Sequence, residues 1–486
     1  MSQHAKRNIS MMMDLYELTM ANGYFVGGHE AQWVAFDVFY RKNPDQGGFA
    51  IFAGLEQVID CVESLHFGED DIAYFREMGQ FDEAFLDYLR GFRFKGDIHA
   101  FQEGTIMYPN EPILTVKAPL IDAQLVETAI LAQINHQSMI ATKTRRIVSA
   151  AQGRPVFDFG ARRAHNIDAA VYGARAAYIG GVSGTSNVMA GKQFGIPVSG
   201  TMAHSWVMFH GDEYQAFRRY AELYPDAAVF LVDTYDVMRS GIPNAIRVAK
   251  EVLEPMGKRL KGVRLDSGDL AYLSKRVRAT LDDAGLDDCR IYASNSLDEY
   301  TIASLLAQDS RIDGFGVGER LITSKSDPVF GAVYKLVAVQ ENAAFVPRIK
   351  ISEAAGKTTN PGLKKVYRIY CEQGQAIADL IAGADETVDL GGAYRYVVPE
   401  KPWTEQWFTN CSARELQEIV IRDGKRVYRK RSLDEIRSHV ERQLDHEIWK
   451  EEQRFDNPHI HYLDMSPRYN AMKMQMLNQA QTDARA

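Results

Sequence analysis

The chain has 486 residues, 46% of them hydrophobic, and 56 lysines and arginines against 64 aspartates and glutamates give a formal net charge of -8. That length supports two or three domains with cores of their own, and the acidic balance, with a pI near 5.9, argues against sequence-independent binding to a nucleic-acid backbone. The four cysteines, Cys61, Cys289, Cys371 and Cys411, stand far apart without a CxxC pair, which indicates neither a paired-cysteine zinc site nor a disulfide framework and points to a reducing cytoplasm. No signal peptide is read at residues 11–20, because Asp14 and Glu17 interrupt the apolar run and no small-residue cleavage site follows. The longest uncharged window, 193–211, carries Gly195, Pro197, Gly200, His204 and His210, unlike a bilayer helix. The expectation is a globular protein with no membrane and no nucleic-acid partner.

Residues 1–140 read as an α+β domain. QWVAFDVFYRK and FAIFAG predict strands, residues 82–89 a helical face, and FKGDIHAFQEGTIMYPNEPILTVKAP a series of strands punctuated by Gly96, Gly104, Pro109 and Pro112. Residues 123–151 then carry Leu125, Thr128, Ala129, Ala132 and Ile140 at helical spacing.

From 141 to 340 the pattern is short apolar runs, each closing in a polar cluster and followed by a helical segment. The runs are VFDFG at 156, AAYIGG at 176, IPVSGTMAHS at 196, AVFLVDTYD at 228, GVRLDSGDL at 262, RIYASNS at 290 and DGFGVGERL at 313, with VYKLVAV at 333 as a candidate last member. A spacing of roughly 20 to 33 residues suits the strand-helix units of an irregular (β/α) barrel, and the polar ends fall on the edge where barrels place chemistry. An open doubly wound sheet is the alternative, weakened by the lack of a GxGxxG turn after the first strand. Strand-rich sequence returns over 341–398 and can complete the first domain. Residues 399–486 form a C-terminal extension with a hairpin signal at Arg422-Asp423-Gly424-Lys425, a capping box at Ser432-Leu433-Asp434-Glu435, a basic run over 426–431 that reads as a solvated strand face, and a loose tail beyond 477.

Several strand ends carry candidate chemistry. FDFGARRAH sets Arg162 and Arg163 at the start of a helix, where guanidinium and free N–H groups make an anion site; pairing with a nearby acid explains them equally. GVSGTSN, around Ser186, is either an anion-binding turn or a simple N-capped connection. His204 closes the third run, and its strand-end position is what favours function. Arg264 and Asp266 alternate onto one side of a strand, as an anion and sugar site or as a structural ion pair. Asp233 and Asp236 can serve a hydrated Mg2+ or cap a helix. Gly314-Phe315-Gly316-Val317-Gly318 allows close approach of backbone to a phosphate. His459 and His461 lack a third ligand nearby and read as structural.

Taken together these segments resemble the nicotinate phosphoribosyltransferases. The likeness runs in order through MMMDLYELTMANGYF, FYRKNPDQGGFAIFAGLE, EGTIMYPNEPIL, FDFGARRAH, GGVSGTSNVMAG, GTMAHSWVM, VRLDSGDL, YASNSLDEYTI, GFGVGERL, VYKLVAV and NPHIHYLDMS. The resemblance implies transfer of a phosphoribosyl group from phosphoribosyl pyrophosphate (PRPP) to nicotinate with Mg2+ and ATP hydrolysis, in a cytoplasmic homodimer whose active sites are shared between subunits. It implies that Tyr16 and Phe159 sandwich the pyridine ring, that Ser186 and Thr201 line the nicotinate pocket, and that Arg162 and Arg264 bind the anions. It assigns ribose hydroxyls to Asp266, phosphates to Gly316, Gly318, Lys325 and Thr359 (beside Lys357), and ATP autophosphorylation to His204; metal ligands are not assigned. The alternatives are the nicotinamide-specific relative, a binding protein that kept the fold, and a phosphate-binding barrel lyase. The intact Tyr16, Arg162, His204, Arg264 and Asp266 argue against the second, and the lack of a strand-end lysine against the third.

Overall fold

Apolar runs too short to be helices and flanked by helical segments form parallel strands in residues 140–328. This is one of two compact units in the computed structural model, the other being residues 1–139 with 329–486. The structure describes residues 8–351, 358–388, 390, 393–397 and 405–483. The strands of the 140–328 unit are β1 (Val156–Asp158), β2 (Gly184–Thr185), β3 (Val229–Leu231), β4 (Gly262–Leu265), β5 (Arg290–Ala293) and β6 (Gly314–Val317). They lie side by side in the order β2-β1-β6-β5-β4-β3, every neighbouring pair parallel.

That order is the chain order of a barrel, with the last strand beside the first. Beyond β2, Thr185 adds a parallel bridge to Val198, so the hydrogen-bonded path runs from Val198 round to β3. It is a parallel half-barrel. Helices between strands begin at side-chain caps: Asn166 accepts from Ala169 N–H, Asp269 from Tyr272 N–H and Asp298 from Thr301 N–H, each cap contributing about 1 kcal/mol. Phe217 stacks on Phe230 at 4.8 Å within a core that includes Val263, Leu265 and Ile291.

The 1–139 and 329–486 unit holds an antiparallel sheet of seven strands, in the order Ala344–Pro347, Val333–Glu341, Trp33–Phe39, Leu114–Pro119, Asp97–Phe101, Gln417–Arg422 and Lys425–Arg426. A second sheet orders Ser412–Glu415, Lys364–Tyr370, Ala376–Gly383 and Leu463–Met465. Between its strands the fully buried Arg368 donates to both oxygens of Asp379, at 2.9 and 2.7 Å. His461 stacks on Tyr108 at 3.7 Å and meets Glu452 through Nδ1 at 3.1 Å, a structural role as its sequence context suggested.

Several expectations need correction. VYKLVAV at 333 is not a barrel strand: it pairs antiparallel with Trp33–Phe39, because an apolar run does not itself specify a partner. AAYIGG at 176 is the end of the helix Ile167–Gly180, and the strand comes later, at Gly184–Thr185. The boundary near 399 has no counterpart, since Gln417–Arg422 joins the seven-stranded sheet and Leu463–Met465 the four-stranded one. The long helix at 123–151 is two, Leu120–Gln124 and Glu127–Ala150, and the helix Pro467–Asp483 runs past residue 477. The basic run is partly paired, Arg426 reaching Glu56, Asp60 and Glu63. The hairpin at Arg422–Lys425 forms with Asp423 at φ 48° and Gly424 at φ 73°, the two positive angles a type I′ turn needs. The capping box at Ser432 and Glu435 is present. Lys357 lies outside the described residues. Among the described residues no helix is long and apolar enough to cross a membrane.

Candidate active site

Arg264, at the carboxyl side of β4, is the centre of the polar cluster at the strand ends. Its Nε donates to Ser294 Oγ at 2.8 Å, one terminal nitrogen to Thr201 Oγ1 at 3.0 Å and the other to Asp266 Oδ1 at 2.9 Å. Ser294 Oγ also donates to Asp266 Oδ1. Three loops, after Val198, after β4 and after β5, are thereby fixed on one planar cation, a task suited to the rigid donor fork of arginine. Two of its five N–H donors remain for an anion.

Asp233, two residues beyond β3, lies beneath this cluster with its side chain 2% exposed. Its Oδ1 is 3.2 Å from Nε2 of His204, and its Oδ2 accepts from Asp266 N–H at 3.0 Å and Ser267 Oγ at 2.6 Å. His204 opens the helix His204–His210 and keeps 41% of its side chain exposed. These bonds span the side of the half-barrel where the strand ladder is open. Asp233 is therefore not a free metal ligand, and Asp236 is an N-cap accepting from Met238 and Arg239 N–H at 3.0 and 2.7 Å.

Phe159 follows β1, and its N–H donates to Val317 O at 2.8 Å. The Arg264 guanidinium carbon lies 5.5 Å from its ring centroid, a cation-π contact. The ring covers Gly316, where a Cβ would come within 2.5 Å of ring carbons, and a Cβ on Gly318 would come within 3.2 Å of Phe159 O. The glycines at 316 and 318, expected at a phosphate, thus have a packing reason of their own. Beneath the ring the buried Asp158 accepts from Thr185 Oγ1 at 2.7 Å and Gly160 N–H at 2.8 Å, while its carbonyl accepts from Ser186 N–H at 2.9 Å. Burial pushes the Asp158 carboxyl above the usual carboxylate range, and these bonds oppose the shift.

Phe159, Thr201, His204, Arg264 and Asp266 are thus brought together. Ser186 is exposed one residue beyond β2, and Arg162 is exposed on the turn Ala161–Arg163, paired with no acid among the described residues. Lys325 is exposed and paired with Glu319 at 2.6 Å. Tyr16 and Thr359 belong to the other unit. Tyr16 is 43% exposed on the helix Leu15–Val26, and burial of the hydroxyl together with the neighbouring Glu127 raises its pKa. Thr359 is 1% exposed, and its Oγ1 accepts from Lys350 N–H at 3.0 Å. Sequence reasoning missed Ser294 and the positioning parts of Asp158 and Asp233. The strand-end position of Ser294 in RIYASNS was the available signal.

Parallel strands in barrel order, with cation, carboxylates and imidazole gathered past their carboxyl ends, define an α/β enzyme of barrel type. The chain matches the models of the nicotinate phosphoribosyltransferase N-terminal domain over residues 11–135, of the nicotinate phosphoribosyltransferase family over 155–375 and of the C-terminal domain over 363–473. It is 45% identical over 478 residues to a nicotinate phosphoribosyltransferase of Bacillus subtilis, covering 98% of this chain and 96% of that one. It is 33% identical over 520 residues to one of Caenorhabditis elegans, covering 94% and 91%. The crystal structure of human nicotinic acid phosphoribosyltransferase superposes with a TM-score of 0.83 at 28% identity, covering 96% of this chain and 99% of that one. The chain belongs to the nicotinate phosphoribosyltransferase family.

Proposed function

We infer that this protein forms nicotinate mononucleotide and pyrophosphate from nicotinate and PRPP, coupled to ATP hydrolysis, in NAD biosynthesis. The observation that carries the reading is the single hydrogen-bonded cluster joining Arg264, Thr201, Ser294, Asp266, Asp233 and His204, in a chain of this family.

In this reading the pyridine ring lies against Phe159 and against Tyr16 of the partner subunit, and its carboxylate meets Thr201 with Ser186 nearby. The ring nitrogen carries no proton at neutral pH, so no general base is needed. Its lone pair bonds to the ribose anomeric carbon as the bond from that carbon to the pyrophosphate oxygen breaks. Positive charge develops on the sugar and negative charge on the leaving group, so the chain's task is placement and electrostatics. The free donors of Arg264 and the exposed Arg162 hold anionic oxygens, Asp266 takes ribose hydroxyls, and the 316–325 loop with Lys325 receives the 5′-phosphate.

Among the described residues no group of three or more His, Cys, Asp or Glu side chains is placed to hold a metal, while Asp266 keeps one carboxylate oxygen beyond the bonds of its Oδ1. That donor set fits Mg2+ carried in on the diphosphate of PRPP, since such ions are commonly held by one or two carboxylates plus substrate phosphates. When bound it neutralises the departing pyrophosphate.

With Nε2 of His204 donating to Asp233, Nδ1 carries the lone pair. It attacks the γ-phosphorus of ATP, ADP leaves, and the phosphohistidine adds negative charge at the strand ends before hydrolysis returns the imidazole. Incubation with γ-labelled ATP should leave label on His204 that is stable in alkali and lost in acid. His204→Ala should lose label and ATP stimulation while a slow basal transfer persists. Label retained in His204→Ala would overturn this role.

A cytoplasmic homodimer with shared sites belongs to the same reading. Its support is exposed apolar surface on both units: Leu15 and Tyr16 on one, Ile167, Val188, Met208 and Phe209 on the other. Mixing Tyr16→Ala with His204→Ala after subunit exchange should restore roughly one quarter of the stimulated activity, because half the dimers are hybrid and half their sites are whole. Verified exchange without recovery would mean that each chain builds its site alone.

A further inference from the structure

The strands Lys364–Tyr370 and Ser412–Glu415 pair antiparallel, with Tyr367 opposite Glu415, Ile369 opposite Ala413 and Tyr370 opposite Ser412. Carried one step beyond its last pair, the same register sets Cys371 opposite Cys411. The backbone bonds decide which kind of pair this is. Leu416 N–H donates to Val366 O at 2.9 Å, so the 366 and 416 positions are a hydrogen-bonded pair. Alternation along the ladder then makes 368 and 370 bonded positions, and 367, 369 and 371 non-bonded ones.

The other side of the strand agrees. Cys371 N–H donates to Gln375 O at 2.9 Å and its carbonyl accepts from Gly374 N–H at 2.9 Å, so its backbone groups are turned away from Cys411. Non-bonded antiparallel pairs set Cα atoms about 4.5 Å apart with side chains at their closest, inside the window of about 4.4–6.8 Å that a disulfide requires. Both thiols are free and half-buried, and both border the apolar cluster of Ile369, Ala378 and Tyr394. The Cys411 thiol is pushed up by burial and by the nearby Cys371. Burial raises the Cys61 and Cys289 thiols to about 11 and about 12, which leaves them the slower to react.

We propose that Cys371 and Cys411 are a reversible cross-strand disulfide pair, closed by exchange with a low-molecular-weight disulfide such as oxidised glutathione. One protein thiolate attacks a glutathione sulfur, the glutathione S–S bond breaks, and a glutathione thiolate leaves. The second protein thiolate attacks the mixed disulfide and expels the other glutathione. Two protein thiols are oxidised, one small disulfide is reduced, and the two thiol protons end on glutathione. The bond would fasten the edge strand Ser412–Glu415, and with it the base of the hairpin Ala393–Val397 and Glu405–Thr409, to the sheet.

The test uses the full-length chain, equilibrated near pH 8 with oxidised glutathione and followed by thiol titration and peptide mapping. The expected result is loss of two of the four thiols, a peptide linking 371 to 411 that dithiothreitol separates, and no such link in Cys371→Ser or Cys411→Ser. Retention of all four thiols in the folded wild-type chain, or glutathione adducts on single cysteines without the link, would overturn the proposal.

Discussion

His204 Nε2 and Asp233 Oδ1 are 3.2 Å apart, and the other oxygen of the same buried carboxylate holds the Asp266 N–H and the Ser267 hydroxyl. One aspartate thereby sets the imidazole that opens a helix and the loop that follows β4. It acts through these groups as a positioning residue.

Asp233→Asn tests that arrangement. If the amide oxygen keeps Asp266 and Ser267, the amide NH2 faces His204 Nε2 and drives the ring proton to Nδ1, the nitrogen proposed above to attack ATP. Histidine labelling and ATP stimulation should fall about 10- to 100-fold, the range found when a metal-bound histidine loses its orienting partner. Basal transfer without ATP should change far less. An equal fall in both would mean that Asp233 only supports the fold.

Gly316→Ala probes the wall behind Phe159. A Cβ there would lie 2.5 Å from the Phe159 ring, whereas at Gly318 it would lie 3.2 Å from a backbone oxygen. The ring must swing, so KM for nicotinate should rise by about 10-fold, the effect of losing about 1.4 kcal/mol of stacking. An unchanged nicotinate KM in folded protein would remove Phe159 from the pocket.

Ser186→Asp probes the choice of base. In the nicotinamide-using relative the resemblance places an aspartate here, which accepts from an amide NH2 and repels a carboxylate. Nicotinate use should weaken by a factor on the order of ten, since a like-charge contact in a partly desolvated pocket costs over about 1 kcal/mol. Unchanged nicotinate kinetics would place the carboxylate elsewhere.

Glu17 supplies a pH dependence of stability. It is fully buried, its Oε1 accepts from Asp14 and Thr128 N–H at 3.2 Å, and its Oε2 has no partner. Burial raises its pKa from 4.5 to about 7, with hydrogen bonds opposing. Between these values the folded chain keeps a proton that the unfolded chain has released, so this group's stabilisation is complete below about 4.5 and lost as pH rises through about 7. Glu17→Gln should match wild type near pH 4.5 and exceed it at pH 8 by on the order of 1 kcal/mol, seen as a higher Tm. Parallel Tm profiles for the two proteins would contradict it.

Part of the polar cluster was legible because a parallel strand buried on both faces reads as an apolar run, and the residues at its end fall at the carboxyl edge of the sheet. That logic placed Phe159 just past β1 and Arg264 and Asp266 at the end of β4, whereas His204 follows only the lone bridge at Val198 and opens a helix. It failed where one dimension does not specify partners. Val333–Glu341 carries the same apolar signature but pairs antiparallel with Trp33–Phe39. Asp233 reads in the sequence as either a carboxylate for a hydrated Mg2+ or a helix cap, because a lone strand-end carboxylate gives no hint of the three donors that the fold brings to it.

The most direct test of the whole account is product formation by the purified chain with PRPP and Mg2+, comparing nicotinate with nicotinamide, each with and without ATP. Nicotinate mononucleotide and pyrophosphate should form, ATP should accelerate their formation while ADP accumulates, and nicotinamide should react far more slowly. Preferential formation of nicotinamide mononucleotide, or no mononucleotide from nicotinate under any of these conditions, would contradict it.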